Sequence, residues 1–177
     1  LEERTRAMLK VQDGCVNFCS YCIIPYTRGP VRSAPLELAV QQAKELAQKG
    51  YKEIVITGIE IASYGKDLPG KPTLVDACEA MCAAAPRLRL HLGSLEPRCL
   101  TEEAVARLQK LNICPHFHLS LQSGADHVLN LMRRPYSAKM AREAVERLRA
   151  AFPTLGLTTD VIVGFPQETE ADFEETA

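Results

Sequence analysis

Five short apolar runs, each closed by glycine or a polar turn and each followed by a helical pattern, constrain this chain more than any other feature. They cover residues 7–12, Glu53-Ile54-Val55-Ile56-Thr57, Leu88-Arg89-Leu90-His91-Leu92, His116 to Gln122, and Thr158 to Val163. Between them, apolar residues recur at three and four positions, as in Leu36, Val40, Ala43 and Ala47, the spacing of an amphipathic helix. Strand and helix alternating about every 30 residues predict an α/β fold with a parallel sheet. Right-handed crossovers would wind five such units into an open, partial βα barrel rather than a closed eight-stranded one.

Local chemistry sets the expected boundaries. Pro35 suits the first turn of a helix ending near Gly50. Further helices are expected at about 73–85, from Thr101, at 125–133, at 137–151 and from Thr169. Thr101 is a capping residue, and Glu102 and Glu103 favour the positive end of its helix. Pro25, Gly29 and Pro30 predict an irregular segment after the first strand. The last helix has no strand after it, so residues 1–177 read as one domain stopping before a final strand. The chain lacks an initiator Met, so it is expected to be part of a longer protein.

Composition removes several functional classes. The chain has 177 residues, is 46% hydrophobic and 24% charged, and carries a formal net charge of −1. That balance suits a globular protein and gives no broadly basic nucleic-acid surface. No apolar run approaches the roughly 20 residues of a membrane span. Leu1 to Arg6 show no leader pattern. With no leader and seven cysteines, an odd number, a reducing compartment is expected, and cytoplasmic location with it.

Three of those cysteines lie within eight residues, in Asp13-Gly14-Cys15-Val16-Asn17-Phe18-Cys19-Ser20-Tyr21-Cys22. The C-x3-C-x2-C spacing directly follows the first strand. Cysteine thiolates hold iron–sulfur clusters, and a four-iron cluster normally takes four. Three would leave one iron open. A closed zinc site is the alternative, because His116 and His118 could complete it, though the spacing fits no common zinc motif. The loop's chief organising contacts are expected to be metal bonds.

A pocket is expected where the strands end, because ligands of parallel α/β folds bind beyond the carboxyl ends. The polar and small residues there are Thr57, Gly58 and Glu60, then Ser94 and Glu96, Gln122 and Ser123, and Asp160. Arg28, Arg32, Arg98, Arg133 and Arg134 add cations suited to phosphate or carboxylate. Cys78 and Cys82 read as buried apolar groups. Cys99 and Cys114 sit near helix or loop ends, with no metal role assigned. The four histidines read as packing or surface residues, with His118 closest to the pocket.

The cysteine loop, Ile23-Ile24-Pro25-Tyr26-Thr27-Arg28-Gly29, Thr57-Gly58-Ile59, His116 to Gly124, Met132-Arg133-Arg134 and Thr159 to Pro166 together resemble the radical S-adenosylmethionine (SAM) methylthiotransferases. The wording is closest to the tRNA branch acting on N6-threonylcarbamoyladenosine. Sister branches act on isopentenyladenosine in tRNA or on an aspartate of a ribosomal protein. The resemblance implies a six-stranded partial barrel, five strands of which are present. It implies that Cys15, Cys19 and Cys22 ligate a 4Fe–4S cluster whose open iron binds SAM, giving a 5′-deoxyadenosyl radical that abstracts hydrogen from C2 of the adenine. Tyr21 would lie near the cofactor's adenine, and Thr57-Gly58 at the methionine amino group. Ser94 and Glu96 would serve the ribose or methionine portion, with Gln122 lining the same pocket. Arg133 or Arg134 is a candidate partner for the methionine carboxylate. Asp160 and Ile162 fall on the adenine-contacting strand. Asp160 stands where the family pattern has Gly, and Glu168 lies one place late, which leaves its role open. The family also carries an N-terminal domain with a second 4Fe–4S cluster and a C-terminal RNA-binding barrel, neither in this chain. An electron donor such as flavodoxin or ferredoxin and a tRNA substrate are the implied partners.

Overall fold

The computed structural model describes residues 5–177. Leu1–Arg4, part of the stretch read above for a leader, lie outside the described residues. The five expected strands are present: β1 (Arg6–Lys10), β4 (Glu53–Thr57), β5 (Arg89–Leu92), β6 (His116–Gln122) and β7 (Gly156–Val161). β1, β4 and β5 form one parallel ladder, and β6 and β7 another. Between the ladders run two isolated parallel bridges, Leu90 to Ile113 and Leu95 to Leu119. Leu95 donates to the His118 carbonyl and accepts from Ser120 N, both at 2.9 Å. The described strands do not close into a barrel.

Alternation along each strand divides the sheet's two faces. Ile54, Ile56, Leu90, Leu92, Phe117 and Leu119 are fully buried and join the main core with residues of α2 (Leu36–Gln48), α3 (Leu74–Ala84), α4 (Glu102–Leu108) and α6 (Ala138–Ala151). Burying each such side chain contributes about 1.5–3 kcal/mol. The intervening residues are mostly polar or exposed, with Val55 half-buried. Met8 is 72% exposed, and His91, His116, His118 and Thr158 share one network. His91 Nε2 lies 3.0 Å from His116 Nδ1, and Thr158 Oγ1 lies 3.3 Å from His116 Nε2 and 3.0 Å from His118 Nδ1. The helix-facing side is therefore a dry core and the opposite side a polar face.

Caps set the helix starts as expected. Thr101 Oγ1 accepts from Ala104 N, and Thr73 and Thr169 form reciprocal capping boxes with Asp76 and Asp172. α5 (Asp126–Leu131) is shorter than the expected 125–133. α7 (Glu170–Thr176) begins where Thr169 predicts.

The first strand differs from expectation. It stops at Lys10, and Gln12–Asp13 turn away as β2 to pair antiparallel with β3 (Arg32–Ser33). The segment expected to be irregular holds a helical turn, α1 (Ile24–Arg28), because Pro25 occupies a position where its missing N–H costs nothing. Gly14 makes the hairpin possible: its φ is +75°, and a Cβ there would lie 1.9 Å from the Pro30 carbonyl oxygen. Gly70 has nearly the same φ, +72°, with nothing within 4 Å. Gly14→Ala is expected to lower the free energy of unfolding, read from urea titration, by well over about 1 kcal/mol, adding a backbone clash to left-handed strain. Gly70→Ala should cost only the strain, about 1 kcal/mol. Equal losses in the two variants would contradict this account of the hairpin.

Candidate functional site

The cysteine loop lies beyond the carboxyl ends of the strands. On one side Cys15 N donates to the Gly29 carbonyl at 3.1 Å. On the other, Ser20 N and Oγ donate to the carbonyls of Met132 and Leu131 at 3.1 and 2.8 Å. Cys22 N closes a turn onto Cys19 O at 3.0 Å. Protein contacts thus organise the loop, and metal bonds are not its only anchors. Cys19 is buried and Cys15 and Cys22 half-buried. Burial pushes the Cys15 thiol up.

The three cysteines line one cavity of about 150 Å³, together with Tyr21, Ser94, Glu96, Gln122 and Arg134. Arg134 is its hub. Its side chain is 7% exposed and that of Glu96 4%. Nη1 donates to Cys19 Sγ at 3.1 Å, Nη2 to Glu96 Oε1 at 3.1 Å, and Nε to the Tyr136 hydroxyl at 2.8 Å. The Tyr136 hydroxyl in turn donates to the Ser120 and Leu121 carbonyls at the end of β6. Burial opposes the Arg134 charge, but Tyr136, Cys19 and Glu96 together hold its pKa above the ordinary arginine value. Glu96 also accepts from Asn17 Nδ2 at 2.7 Å and Arg98 Nε at 2.6 Å, and Arg98 Nη2 donates to Asn17 Oδ1 at 3.0 Å. A buried carboxylate between two guanidiniums is the arrangement that makes a buried charge tolerable. Glu60 lies beside this group; burial first and Glu96 next push its carboxyl up.

The sequence matches the family model for the radical SAM superfamily over residues 9–177. The chain belongs to the radical SAM superfamily. Curated relatives include the threonylcarbamoyladenosine tRNA methylthiotransferase MtaB of Thermotoga maritima, 42% identical over 99% of this chain and 40% of the relative. MtaB of Bacillus subtilis is 42% identical over 98% and 39%. The tRNA-2-methylthio-N(6)-dimethylallyladenosine synthase of Carboxydothermus hydrogenoformans is 39% identical over 99% and 40%. The chain spans about two fifths of the length of these relatives. Solved radical SAM structures share the fold. The cobalamin-dependent enzyme OxsB has a TM-score of 0.76 at 12% identity, over 96% of this chain and 25% of OxsB. The methyltransferase TsrM of Kitasatospora setae has a TM-score of 0.76 at 18% identity, over 94% and 32%.

Not every residue expected in a radical SAM cofactor pocket reaches this cavity. Tyr21, Ser94, Glu96, Gln122 and Arg134 line it; Thr57, Gly58, Asp160 and Ile162 do not. Thr57-Gly58 backs onto β2, and Gln12 Oε1 takes the next two amides, Ile59 N at 3.0 Å and Glu60 N at 2.8 Å. Ile59 and Glu60, one turn later, line the cavity instead. The Asp160 side chain is 79% exposed, with an oxygen 3.5 Å from His118 Nε2. Ile162 packs with Phe165 on the small cluster of Ala125, Val128 and Met132. Glu168 Oε2 accepts from Phe165 N at 3.0 Å, and buried Ser123 accepts from Ala125 N at 3.2 Å, so both are turn residues.

Sequence reasoning missed Gln12, Asn17, Ser120 and Ile59. Asn17 sits inside the cysteine loop, and that position was the one available signal. Arg28 and Arg32 gather around Asp13 at 3.9 and 3.6 Å, with Lys10 at 2.8 Å. This leaves a surplus of positive charge on the rim. Phe18 and Tyr26 stack edge to face there, centroids 5.6 Å apart, and both are exposed. A larger hollow of about 770 Å³ runs past Lys44, Tyr51, Lys52 and Arg87, leading into β4 and β5 at the far end of the strands, away from the cysteines.

Cys78 and Cys82 are buried, as expected of packing residues, and Cys99 and Cys114 are half-buried. Complete burial pushes the Cys78 thiol far up, and burial with Glu60 and Glu96 nearby takes Cys99 to about 12. Only thiolates are nucleophilic. In cofactor-free chain, iodoacetamide should therefore modify Cys15 and Cys22 and spare Cys78 and Cys99 until unfolding, as read by peptide mass spectrometry. Native labelling of Cys99 would contradict this placement.

Proposed function

We propose that the chain is the radical SAM core of a tRNA methylthiotransferase that modifies N6-threonylcarbamoyladenosine beside the anticodon. The observation that carries the reading is the 42% identity to enzymes of that name over nearly the whole chain. In this reading the fold is the superfamily's partial barrel with five of its six strands. Residues 1–177 are the core of a protein whose N-terminal second-cluster domain and C-terminal RNA-binding barrel lie outside this chain.

Cys15, Cys19 and Cys22 would hold the 4Fe–4S cluster. The donor set fits: three thiols line one cavity, with the Arg134 guanidinium on the sulfur of Cys19. Zinc fits poorly, because among the described residues these three sulfurs are not a set lying within 4.8 Å of one another. His116 and His118, the other zinc candidates, do not line that cavity. When bound, cluster and SAM supply a 5′-deoxyadenosyl radical by one-electron cleavage.

The chain's own residues bind and orient. Tyr21 sets an aromatic wall, T-stacked on Phe165 at 6.2 Å, for the adenine. Arg134 and Glu96 present paired charges for the methionine carboxylate and ammonium, and Ser94, Gln122 and Asn17 add polar contacts along the same wall. The surplus of Lys10, Arg28 and Arg32 over Asp13, with exposed Phe18 and Tyr26, gives RNA a basic and aromatic rim. A flavodoxin or ferredoxin would supply the electron.

The test uses the full-length enzyme, anaerobically reconstituted and supplied with SAM, reductant and undermodified tRNA. Nucleoside mass spectrometry is expected to find 2-methylthio-N6-threonylcarbamoyladenosine, with Cys19→Ala reducing it to background. Product only on dimethylallyladenosine would move the chain to the branch represented by the 39% identical relative. Product only on a ribosomal protein would remove it from the tRNA enzymes.

A further inference from the structure

At the opposite end of the strands from the cysteine loop, Glu53, His91 and Cys114 bring a carboxylate oxygen, an imidazole nitrogen and a thiol sulfur within 4.8 Å of one another. They come from the start of β4, from β5, and from the residue two before β6. We propose that these three side chains form a zinc-class metal site that staples β4, β5 and the entry to β6.

The donor set and its spacing carry the proposal. Oxygen, nitrogen and sulfur together suit a borderline cation such as zinc. Tetrahedral coordination at ordinary zinc bond lengths puts ligand atoms roughly 3.3–3.6 Å apart. His91 Nδ1 and Glu53 Oε1 stand 3.2 Å apart, and the Cys114 sulfur lies within 4.8 Å of both, so drawing the sulfur in completes the set. Three protein ligands leave a fourth position for water.

Outer contacts hold each ligand. Arg89 occupies the other Glu53 oxygen, with Nε at 2.8 Å and Nη2 at 2.6 Å, and leaves Oε1 facing His91 with Arg6 Nη1 3.9 Å away. His91 Nε2 lies 3.0 Å from His116 Nδ1, whose own Nε2 lies 3.3 Å from Thr158 Oγ1. An Nε2–H donated to His116 turns the His91 Nδ1 lone pair toward Glu53, the outer-contact pattern that orients metal-bound histidine. Cys114 is fixed by its backbone, N to Leu90 O at 2.7 Å. The site also lies where it is mechanically useful. Among the described residues the backbones at β5 and β6 are bridged only at Leu90–Ile113 and Leu95–Leu119, so a metal here adds a strong bond where the sheet has no continuous ladder.

The test removes the competing thiols first. Untagged chain with Cys15, Cys19 and Cys22 changed to Ala is titrated anaerobically with cobalt(II) chloride. One equivalent should bind with a thiolate-to-cobalt charge-transfer band, and zinc should displace it. Adding Cys114→Ser should abolish the band, and adding His116→Ala should weaken affinity about 10–100-fold. If circular dichroism shows the triple variant unfolded, the titration is run on cluster-loaded wild type against Cys114→Ser, because iron then occupies the loop. A folded chain that binds no cobalt, or a band that survives Cys114→Ser, would overturn the proposal and leave Arg89, Glu53 and His91 as an ion-pair network alone.

Discussion

The guanidinium of Arg134 is the contact on which the site depends. It touches the middle cysteine of the loop, the carboxylate at the end of β5, and, through Tyr136, the carbonyls that end β6. A charge this deeply buried costs several kcal/mol unless it is paired and hydrogen-bonded. Glu96 pairs with it, and Arg98 with Asn17 completes the bonding of Glu96. The loop, two strand ends and α5 are thereby locked into one network. Arg133, just before it, takes a left-handed φ of +56° because it closes α5 in a Schellman turn, with Arg133 N and Arg134 N donating to the Asn130 and Leu129 carbonyls.

The sheet behind this network explains why it sits where it does. Alternating residues give the strands a dry helix-facing side and a polar opposite side. The dry side stabilises the fold with ordinary aliphatic packing. The polar side and the strand ends are then free to carry charged groups without breaking the core. β2 and β3 add a support that the alternation pattern does not contain. Through them Gln12 secures the amides after β4, while Gly14 lets the loop approach Gly29 and Pro30.

The sequence made legible what is local or periodic. The three cysteines announce themselves by spacing, and Ser94, Glu96 and Gln122 by standing at strand ends. Thr101 and Thr169 announce their helices by capping chemistry. What stayed hidden depends on partners far apart in the chain. Asn17 reaches Glu96 across 79 positions and Arg134 reaches Cys19 across 115, and no local pattern encodes such a meeting. A two-residue ladder such as β2–β3 is too short to show a period. Thr57 stands at the end of its strand, yet the cavity is lined by Ile59 and Glu60 just after it, and no residue around Asp160 or Ile162 lines it. Facing is decided by turns and by the register shift between Leu119 and Gln122.

Potentiometric titration of the reconstituted cluster, followed by electron paramagnetic resonance in wild type and Arg134→Met, tests the central role of that guanidinium most directly. Hydrogen bonds and positive charge at a ligand sulfur raise a cluster's reduction potential. The account predicts that Arg134→Met still loads iron on the three cysteines but with a midpoint potential below that of wild type, and with weaker SAM-induced change in the signal. An unchanged potential together with an unchanged response to SAM would contradict it.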